Sequence, residues 1–301
     1  MSVISKPEDI EKLRHSGRIL ASCCYHMEEL LKPGTSAKDL NTFCTEFIRS
    51  YHAEPSFLNY AGFPHALCFS NNDEVVHGLC TPEKILKPGD VLSVDLGVNY
   101  EGLFSDTAAT YIITEDGIDR SCKFHFIESW KETKPTVLDE APPLELKRKR
   151  ELLDATSKSL MKGIAVVRHG AKTGDIGHAV GSFLASRGYG NVTQLGGHGL
   201  GYEVHCEPFI SHTGRKGTGS FLVENMVIAI EPMVTLGKSG QVRFVKNNQY
   251  GWEEIKSKDG TIAAHFEHSM LVTKKSCEVF TRIQEKDVLP VQAEVSELLQ
   301  K

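Results

Sequence analysis

Two distant stretches of this sequence carry the same order of structural signals. In the first, Lys32-Pro33-Gly34 ends an amphipathic run, and Asp39 lies near the start of a new one. In the second, Arg168-His169-Gly170 and Asp175 occupy the corresponding places, with Gly170 and Asp175 each 136 residues after their counterparts. Each stretch is typical of a helix end, a short polar link and a new helix start. The sequence therefore predicts a duplicated structural unit.

The same offset relates two acidic residues that follow apolar segments. Asp95 ends the segment VLSVD, and Glu231, which is 136 residues later, ends MVIAIE. Short apolar runs rich in Val and Ile are typical of buried strands. One carboxylate is thus predicted at an equivalent strand end in each half of the chain.

The segment VLSVDLGVNYEGLFSDTAATYII predicts a β-hairpin with an aspartate on each strand. Asn99–Gly102 has the composition of a tight turn, and its two middle residues, Tyr100 and Glu101, are the predicted centre. Asp95 and Asp106 would then lie directly opposite each other, where like charges repel. A shared proton or a bound cation would compensate the repulsion. The alternative is that both aspartates lie on a solvated face of the sheet.

Three further segments add side chains that are able to bind metal ions. QLGGHGLGYEVHCEP carries His198 in a glycine-rich loop, with His205 seven residues later. AIEPM places Glu231 before a proline, and HFEHSMLVT places Glu267 in an apolar strand. A dinucleotide-binding loop is the rival interpretation of the glycine-rich segment, but the GxGxxG spacing is absent. Four carboxylates and one imidazole without thiolates suit a two-metal site for Mn, Fe, Co or Zn.

Charge and cysteine content restrict the partners and the compartment. The formal net charge of -5 argues against nucleic acid as the main partner, because phosphate binding requires a basic surface. The start of the chain has no apolar run of signal-peptide length, and no stretch approaches the roughly 18–20 apolar residues that a membrane span requires. The eight cysteines include no CxxC pair. We therefore expect a cytoplasmic protein without membrane association.

Local patterns predict the first helices and strands. Apolar residues recur at helical spacing from Ile10 to Leu31, and Ser36 with Asp39 resembles a capping box for a second helix toward Ser50. Segments 66–70 and 91–98 have the apolar, β-branched character of strands.

The segment from about 115 to 150 interrupts this regular pattern. It contains the aromatic residues Phe124, Phe126 and Trp130, followed by prolines that favour a loop. The aromatic side chains are candidates to cover a sheet edge, to pack on the back of the sheet or to contact a partner. The basic run 147–150 is expected to begin the solvated face of the next helix, with a docking patch as the alternative.

The sequence resembles the type I methionine aminopeptidases in motifs that span nearly the whole chain outside 115–150. These are KPEDIEKLRHSGRI, NNDEVVHG, DLG followed by SDT, GGHGLGYEVHCEP, AIEPM and HFEHS. The resemblance implies the α/β (α+β) pita-bread fold, in which two pseudo-symmetric halves surround a curved antiparallel sheet. It also implies a single catalytic domain, residues 1–301, with an inserted excursion at about 115–150. The pseudo-twofold would pair Asp95 with Glu231 and Asp106 with Glu267.

By position in these motifs, the resemblance assigns a metal centre. It implies two divalent ions, Co, Mn, Fe or Zn, with five ligands: Asp95, Asp106, His198, Glu231 and Glu267. Asp95 would hold one ion and His198 with Glu231 the other, whereas Asp106 and Glu267 would bridge the two. A water molecule between the ions would be the nucleophile, and Glu231 the general base and later the proton donor.

The resemblance further assigns residues that contact the substrate. His77 would lie near the scissile amide nitrogen, and His205 would contact the substrate carbonyl and steady the developing oxyanion. The apolar pocket for the first side chain would be formed by Tyr60, Phe63, Cys68, His77 and Trp252, which together with His205 make up the substrate-binding residues. Three neighbouring positions, Phe57, Ala61 and Val204, depart from the commonest bacterial pattern and affect the expected shape of this pocket.

The implied activity is removal of N-terminal methionine from nascent polypeptides by a monomeric metallo-aminopeptidase. The ribosome is a candidate partner, and no direct nucleic-acid site is expected. Three alternatives remain open: a proline-specific peptidase of the same fold, a non-catalytic pita-bread protein that acts as a binding module, and a hydrolase with Cys68 or Cys206 as nucleophile.

Overall fold

The computed structural model of the protein describes residues 2–121, 126–127 and 143–300. The α-helices in this part of the chain are α1 (Pro7–Met27), α2 (Ala37–Ser50), α3 (Leu144–Ile164), α4 (Thr173–Arg187) and α5 (Ala293–Ser296). Short 3-10 helices lie at Glu28–Leu30, Tyr60–Gly62, Glu285–Asp287 and Glu297–Gln300. The strands are β1 (Glu54–Pro55), β2 (Leu67–Asn71), β3 (Glu74–Val76), β4 (Val91–Tyr100), β5 (Leu103–Ile112), β6 (Gly190–Asn191), β7 (Gly197–Gly199), β8 (Cys206–Ile210), β9 (Val227–Ile230), β10 (Met233–Thr235), β11 (Val242–Asn247), β12 (Trp252–Ser257), β13 (Ala263–His265), β14 (His268–Val272) and β15 (Cys277–Val279).

The offset of 136 residues relates whole elements of the two halves. The helices α1 and α3 both contain 21 residues. The helices α2 and α4 begin 136 residues apart, at Ala37 and Thr173, and so do the strands β4 and β9. Gly34 and Gly170 lie in the links between the helices, and both have positive φ angles, 92° and 82°. The duplication predicted from the sequence is thus present in the order of the elements and in the spacing at which α2 and α4, and β4 and β9, begin.

The first two helices form largely as their sequences predict. Pro7 is in the first turn of α1, and Leu13, Leu20 and Met27 are on its buried face. The helix ends earlier than expected, at Met27, and continues as a 3-10 turn through Leu30. At the start of α2, the Asp39 amide donates to the Ser36 hydroxyl oxygen at 3.1 Å, which confirms the predicted cap.

The two main sheets are antiparallel, with β4 and β9 at corresponding central positions. β4 pairs with β5 on one side and with β1 and β2 on the other. The second sheet has the order β15-β14-β9-β7-β8. Two three-stranded sheets, β13-β10-β6 and β11-β12-β3, flank these. Helices α1 and α2 pack on β4, β5 and β2, and α3 packs on elements of the second half, which agrees with a pseudo-symmetric α/β fold.

The predicted register of the β4–β5 hairpin is wrong by two residues. Tyr100 pairs with Leu103, so the turn centre is Glu101-Gly102, and both residues have positive φ angles, 49° and 83°. Such a turn matches the twist of the flanking strands better than a turn centred one residue earlier. Asp106 consequently lies opposite Gly97 instead of Asp95. A shift of two residues keeps the side chains on the same face, so the aspartates are diagonal neighbours.

Only part of the segment 115–150 belongs to the described residues. Phe126 is buried, its ring contacts the His268 ring, and its carbonyl accepts from the Ile283 amide at 2.8 Å. Phe124 and Trp130 lie outside the described residues. In the basic run, 147 and 148 are exposed, as predicted for a solvated helix face, whereas Lys149 donates to the Gly89 carbonyl at 2.7 Å. Within the described residues, none of the helices is both long and apolar enough to cross a membrane.

Candidate active site and metal centre

Five side chains from both halves of the chain converge where the two main sheets meet. Asp95 lies in the middle of β4 and not at a strand end as predicted, because β4 continues to Tyr100; Asp106 lies on β5 and His198 on β7. Glu231 directly follows β9, and Glu267 lies in the two-residue break between β13 and β14. The Nε2 atom of His198 is 3.5 Å from Oε1 of Glu231, 3.9 Å from Oδ2 of Asp106 and 4.0 Å from Oε1 of Glu267. Oxygen atoms of Asp95, Asp106 and Glu267 also lie within 4.8 Å of one another.

Glycines allow His198 to lie between two strands. The predicted loop is a short strand, β7, which pairs with both β8 and β9. A Cβ atom on Gly197 would lie 2.2 Å from the Ala229 carbonyl oxygen, and one on Gly199 would lie 2.4 Å from that of Glu207. The chain can approach its neighbours this closely only without side chains at these positions. Nδ1 of His198 contacts the Gly199 carbonyl at 3.0 Å, which directs Nε2 toward the carboxylates.

Hydrogen bonds between β5 and the β13–β14 break fix two of the carboxylates. The Glu267 amide donates to the Ala108 carbonyl at 2.9 Å, and the Thr107 hydroxyl donates to the Glu267 carbonyl at 2.6 Å. The Ser269 hydroxyl accepts from the Asp106 amide at 2.9 Å and donates to the Asp106 carbonyl at 2.6 Å. These contacts join the two halves at the carboxylate cluster.

The cluster carries four carboxylates in a poorly solvated cavity. Among the described residues, Asp95 Oδ1, Asp106 Oδ1 and Glu267 Oε1 are buried without a hydrogen-bond partner. The described residues that line the cavity include no lysine or arginine. Burial and the charge of Glu231 raise the pKa of Asp95 to about 6, and burial raises the pKa values of the other three carboxylates well above their usual range.

The crowding of four buried carboxylates is the electrostatic arrangement expected of a cation-binding site. Carboxylates that crowd together away from water need either protons or cations. Burial and the nearby His205 lower the pKa of His198 to about 3, so its imidazole is neutral, the form that binds metal ions. Four carboxylates and a neutral imidazole are hard and borderline ligands that suit divalent ions, and two such ions would balance the four negative charges.

A cavity of about 400 Å³ opens beside the cluster. Its wall includes the residues predicted for the first-side-chain pocket, Tyr60, Phe63, Cys68, His77 and Trp252, and also His205. Cys68 pairs directly with Asp95 in the β2–β4 register, so the apolar wall adjoins the carboxylates. The rings of Phe63 and Trp252 pack with their centroids 5.0 Å apart.

Two histidines border this cavity close to the cluster. The His205 ring lies 4.2 Å from the His198 ring, and its Nδ1 atom contacts the Tyr60 hydroxyl at 3.1 Å. The carbonyl of His77 accepts from Nε1 of Trp252 at 3.0 Å. Burial, together with the nearby His205, lowers the pKa of His77 to about 4, and burial also lowers that of His205. Both side chains are therefore neutral at pH 7 and act as hydrogen-bonding groups.

The three positions that depart from the bacterial pattern do not all face the cavity. Phe57 and Ala61 line it. Val204 is buried behind the wall in a cluster with Phe57 and Phe63, and it lines an adjoining open groove. The pocket shape is therefore affected directly at two positions and through packing at the third.

Several residues of the site were not singled out from the sequence. His265 Nε2 is 3.5 Å from Oε2 of Glu231, and His212 Nε2 accepts from the Glu231 amide at 3.2 Å. Both ring nitrogens of His265 lack a hydrogen-bond partner among the described residues. The position of His265, two residues before Glu267 in the sequence, could have indicated that it lies at the site. Nothing in the local sequence indicates this for His212. Further cavity residues are Val76, Gln194, Leu195, Gly196, Phe209 and Met233.

The cysteines are poorly placed as nucleophiles. Cys68 lines the cavity, but it is 3% exposed, and burial and the nearby Asp95 raise the pKa of its thiol well above the usual range. A thiol in this state carries almost no thiolate at neutral pH. Cys206 is on β8, and burial raises its pKa as well.

The sequence matches metallopeptidase family M24 over residues 11–274, and the chain belongs to this family. It is 33% identical over 281 residues to a methionine aminopeptidase of Clostridium acetobutylicum, with 93% of this chain and 99% of that protein covered. The crystal structure of methionine aminopeptidase from Thermotoga maritima superposes with a TM-score of 0.79 at 34% identity, covering 94% of this chain and 100% of the other. Within the family, the chain therefore groups with the methionine aminopeptidases, and its pita-bread fold is confirmed.

A prolidase from Pyrococcus furiosus shares this fold at greater distance. Its TM-score is 0.66 at 18% identity, and the match covers 93% of this chain but 65% of the prolidase. At this level of identity the similarity concerns the fold alone.

Proposed function

We propose that the protein hydrolyses the peptide bond that follows an N-terminal methionine, using two divalent cations. The observation that carries the proposal is the convergence of four buried carboxylates and a neutral histidine on the wall of an apolar cavity. The similarity to methionine aminopeptidases over nearly the full chain supports the same substrate class. Nascent polypeptides in the cytoplasm are the proposed natural substrates.

The five residues Asp95, Asp106, His198, Glu231 and Glu267 would hold the cations. Bound divalent ions lower the pKa of water toward neutrality and polarise a carbonyl oxygen. Asp106 and Glu267 would be able to help hold either cation, because their side chains group with Asp95 on one side and with His198 on the other. Either Co, Mn, Fe or Zn is compatible with this ligand set.

The chain's own side chains would handle the protons and orient the peptide. Glu231 is the proposed general base, because one of its oxygens faces His198 and the other faces His265. His205 would donate a hydrogen bond to the substrate carbonyl, since its Nδ1 contact with the Tyr60 hydroxyl leaves the other ring nitrogen free to point into the cavity. His77 would contact the scissile amide nitrogen from the opposite wall.

The apolar part of the cavity would select the first side chain. Phe63, Cys68 and Trp252 present carbon and sulfur surface next to Asp95. A flexible, polarizable thioether fits such an irregular apolar wall well. We also propose that residues 1–301 act as one catalytic domain, because the ligands come from both halves. Contact with the ribosome and a monomeric state stay predictions.

The test is cleavage of short peptides by the metal-loaded protein. Protein loaded with Mn or Co should release free methionine from Met-Ala-Ser, and a chelator should abolish the release. Asp106→Asn should lose activity, whereas Glu101→Gln, on the exposed turn of the same hairpin, should retain it. Cleavage of Ala-Pro peptides in place of Met-Ala-Ser would favour a proline-specific peptidase. Absence of metal binding above background would favour a binding module.

A further inference from the structure

A buried ionic cluster lies behind the cavity wall, outside the metal centre. Nζ of Lys84 is 2.8 Å from Oε2 of Glu74 and 2.8 Å from Oε1 of Glu254. Lys256 reaches the other oxygen of Glu74 at 3.1 Å. The two glutamate side chains are 5% and 9% exposed. Burial alone would raise the pKa of Glu254, but hydrogen bonding and charge from Lys84 outweigh it and lower the pKa, so this carboxylate is ionised at neutral pH.

Glu254 is bonded directly to the segment that carries His77. The oxygen of Glu254 that contacts Lys84 also accepts from the Leu79 amide at 3.2 Å, two residues after His77. Glu254 is on β12, two residues after Trp252, whose Nε1 donates to the His77 carbonyl at 3.0 Å. Strand β12 thus holds the His77 segment at two points, one on each side of Gly78.

The conformation of this segment needs such support. His77 has a φ angle of 59°, which is unfavourable for a residue with a side chain. A Cβ atom on Gly78 would lie 2.1 Å from the Phe69 carbonyl oxygen, so the chain here is pressed against β2. Strained backbone of this kind persists only when the surrounding structure holds it in place.

Lys84 links three parts of the fold around His77. Its side chain reaches Glu74 at the start of β3, Glu254 on β12 and, at 3.5 Å, the Phe69 carbonyl on β2. Its own backbone carbonyl accepts from the Ala37 amide at the start of α2. Burying an amine and two carboxylates costs desolvation that apolar side chains would avoid, so stability alone does not account for the cluster.

We propose that Lys84 and Glu254 are positioning residues, which act on the reaction by holding His77 and Trp252 in a fixed relation at the cavity wall. The inference rests on the proposed function, since His77 and Trp252 contact the substrate there. Neither Lys84 nor Glu254 lines the cavity. Their effect on kcat would therefore pass through His77, and any effect on binding of the first side chain would pass through Trp252.

The test is a double-mutant cycle on the metal-loaded full-length protein with Met-Ala-Ser as substrate. Lys84→Met in the otherwise unchanged protein should lower kcat by roughly 10- to 100-fold, because small displacements of a group near the reacting atoms have effects of this size. In a His77→Ala background, measured at high enzyme concentration, the same substitution should change the residual kcat less than about twofold. Lys149→Met removes a buried amine that pairs with Glu145 and does not line the cavity, and it should leave kcat unchanged.

Further variants keep the test decisive. Lys84→Arg should restore most of the lost kcat. If Lys84→Met does not fold, Glu254→Gln replaces it, because the glutamine keeps an acceptor for the Leu79 amide and loses only the charge. Equal losses of kcat in both backgrounds would assign a merely structural role and overturn the proposal, and so would unchanged kcat in the folded variants. Failure of the unmodified protein to cleave the peptide would instead refute the proposed function.

Discussion

Replacement of Asp95 by asparagine should stabilise the metal-free protein and reduce the further stabilisation that metal binding provides. In the metal-free state, burial and the charge of Glu231 raise the pKa of Asp95 from 3.8 to about 6. At pH 7.5 the side chain is ionised in both the folded and the unfolded chain, so the folded state bears the full cost of its unfavourable environment. Asparagine removes that charge, and its amide group can donate a hydrogen bond to the Asp106 carboxylate, which the ionised Asp95 side chain cannot do.

The expected magnitude follows from the pKa. A rise from 3.8 to about 6 corresponds to ~3 kcal/mol, at about 1.4 kcal/mol per pH unit. Imperfect accommodation of the amide reduces the gain to roughly 1–3 kcal/mol, or roughly 2–10 °C in Tm for a chain of this size. In the metal-saturated state, the original protein gains about 2.7 kcal/mol when the free metal is at 100 times its Kd, and the variant loses much of this gain because a ligand is missing.

Calorimetry at pH 7.5 measures the Tm of the variant and of the original protein, once with a chelator and once with excess Mn²⁺. Glu101→Gln is the matched control, because its carboxylate lies on the exposed turn of the same hairpin and should change neither Tm. The free energy of unfolding of the metal-free original protein should also decrease as the pH rises from about 4 to about 6, because Asp95 loses its proton more readily in the unfolded chain. In the variant this decrease should be much smaller. A Tm for Asp95→Asn that is lowered equally with and without metal would refute the reasoning.

Further substitutions test individual roles. His77→Ala should keep its metal content, measured by elemental analysis, and lose ~10²–10⁴-fold in kcat, since its ring serves the reacting amide; an unchanged kcat would remove it from the mechanism. Glu231→Gln should weaken Mn²⁺ binding in calorimetric titration and lower kcat, and a loss in only one of the two would separate ligand from base. Phe63→Ala should raise KM for Met-Ala-Ser roughly tenfold, as expected for ~1.5 kcal/mol of lost apolar contact, with kcat less affected; an unchanged KM would place the first side chain elsewhere. Gly78→Ala should lower the unfolding free energy by about 1–3 kcal/mol, because its Cβ would meet the Phe69 carbonyl oxygen at 2.1 Å, and unaltered stability would contradict the close packing described above.

The features that could be predicted from the sequence are those with a local or periodic signal. The repeated helix ends and the offset from Asp95 to Glu231 predict the two halves, and the structure has corresponding elements at the same spacing. The two apolar segments that carry Asp95 and Asp106, with the turn-forming residues 99–102 between them, predict the hairpin. The roles of His198 and Glu267 depended mainly on the family resemblance, because their neighbours in sequence do not indicate that they meet the aspartates.

The features that could not be predicted depend on contacts between distant segments. The predicted hairpin register differs from the observed one by two residues, because a turn centred on Tyr100-Glu101 and a turn centred on Glu101-Gly102 contain almost the same residues. The twist of the paired strands favours the second turn. His212 contacts Glu231 from a different part of the chain. The Lys84–Glu254 pair spans 170 residues, and nothing near either residue in the sequence indicates it.

The central claim is that five side chains hold two divalent cations beside a pocket for N-terminal methionine. Anomalous scattering from a crystal grown with Mn²⁺ and free methionine tests it most directly. We expect two manganese peaks roughly 3.5–4 Å apart, ligated by Asp95, Asp106, His198, Glu231 and Glu267, with the thioether against Phe63 and Trp252. Manganese bound away from these residues, or methionine bound outside the cavity, would contradict it.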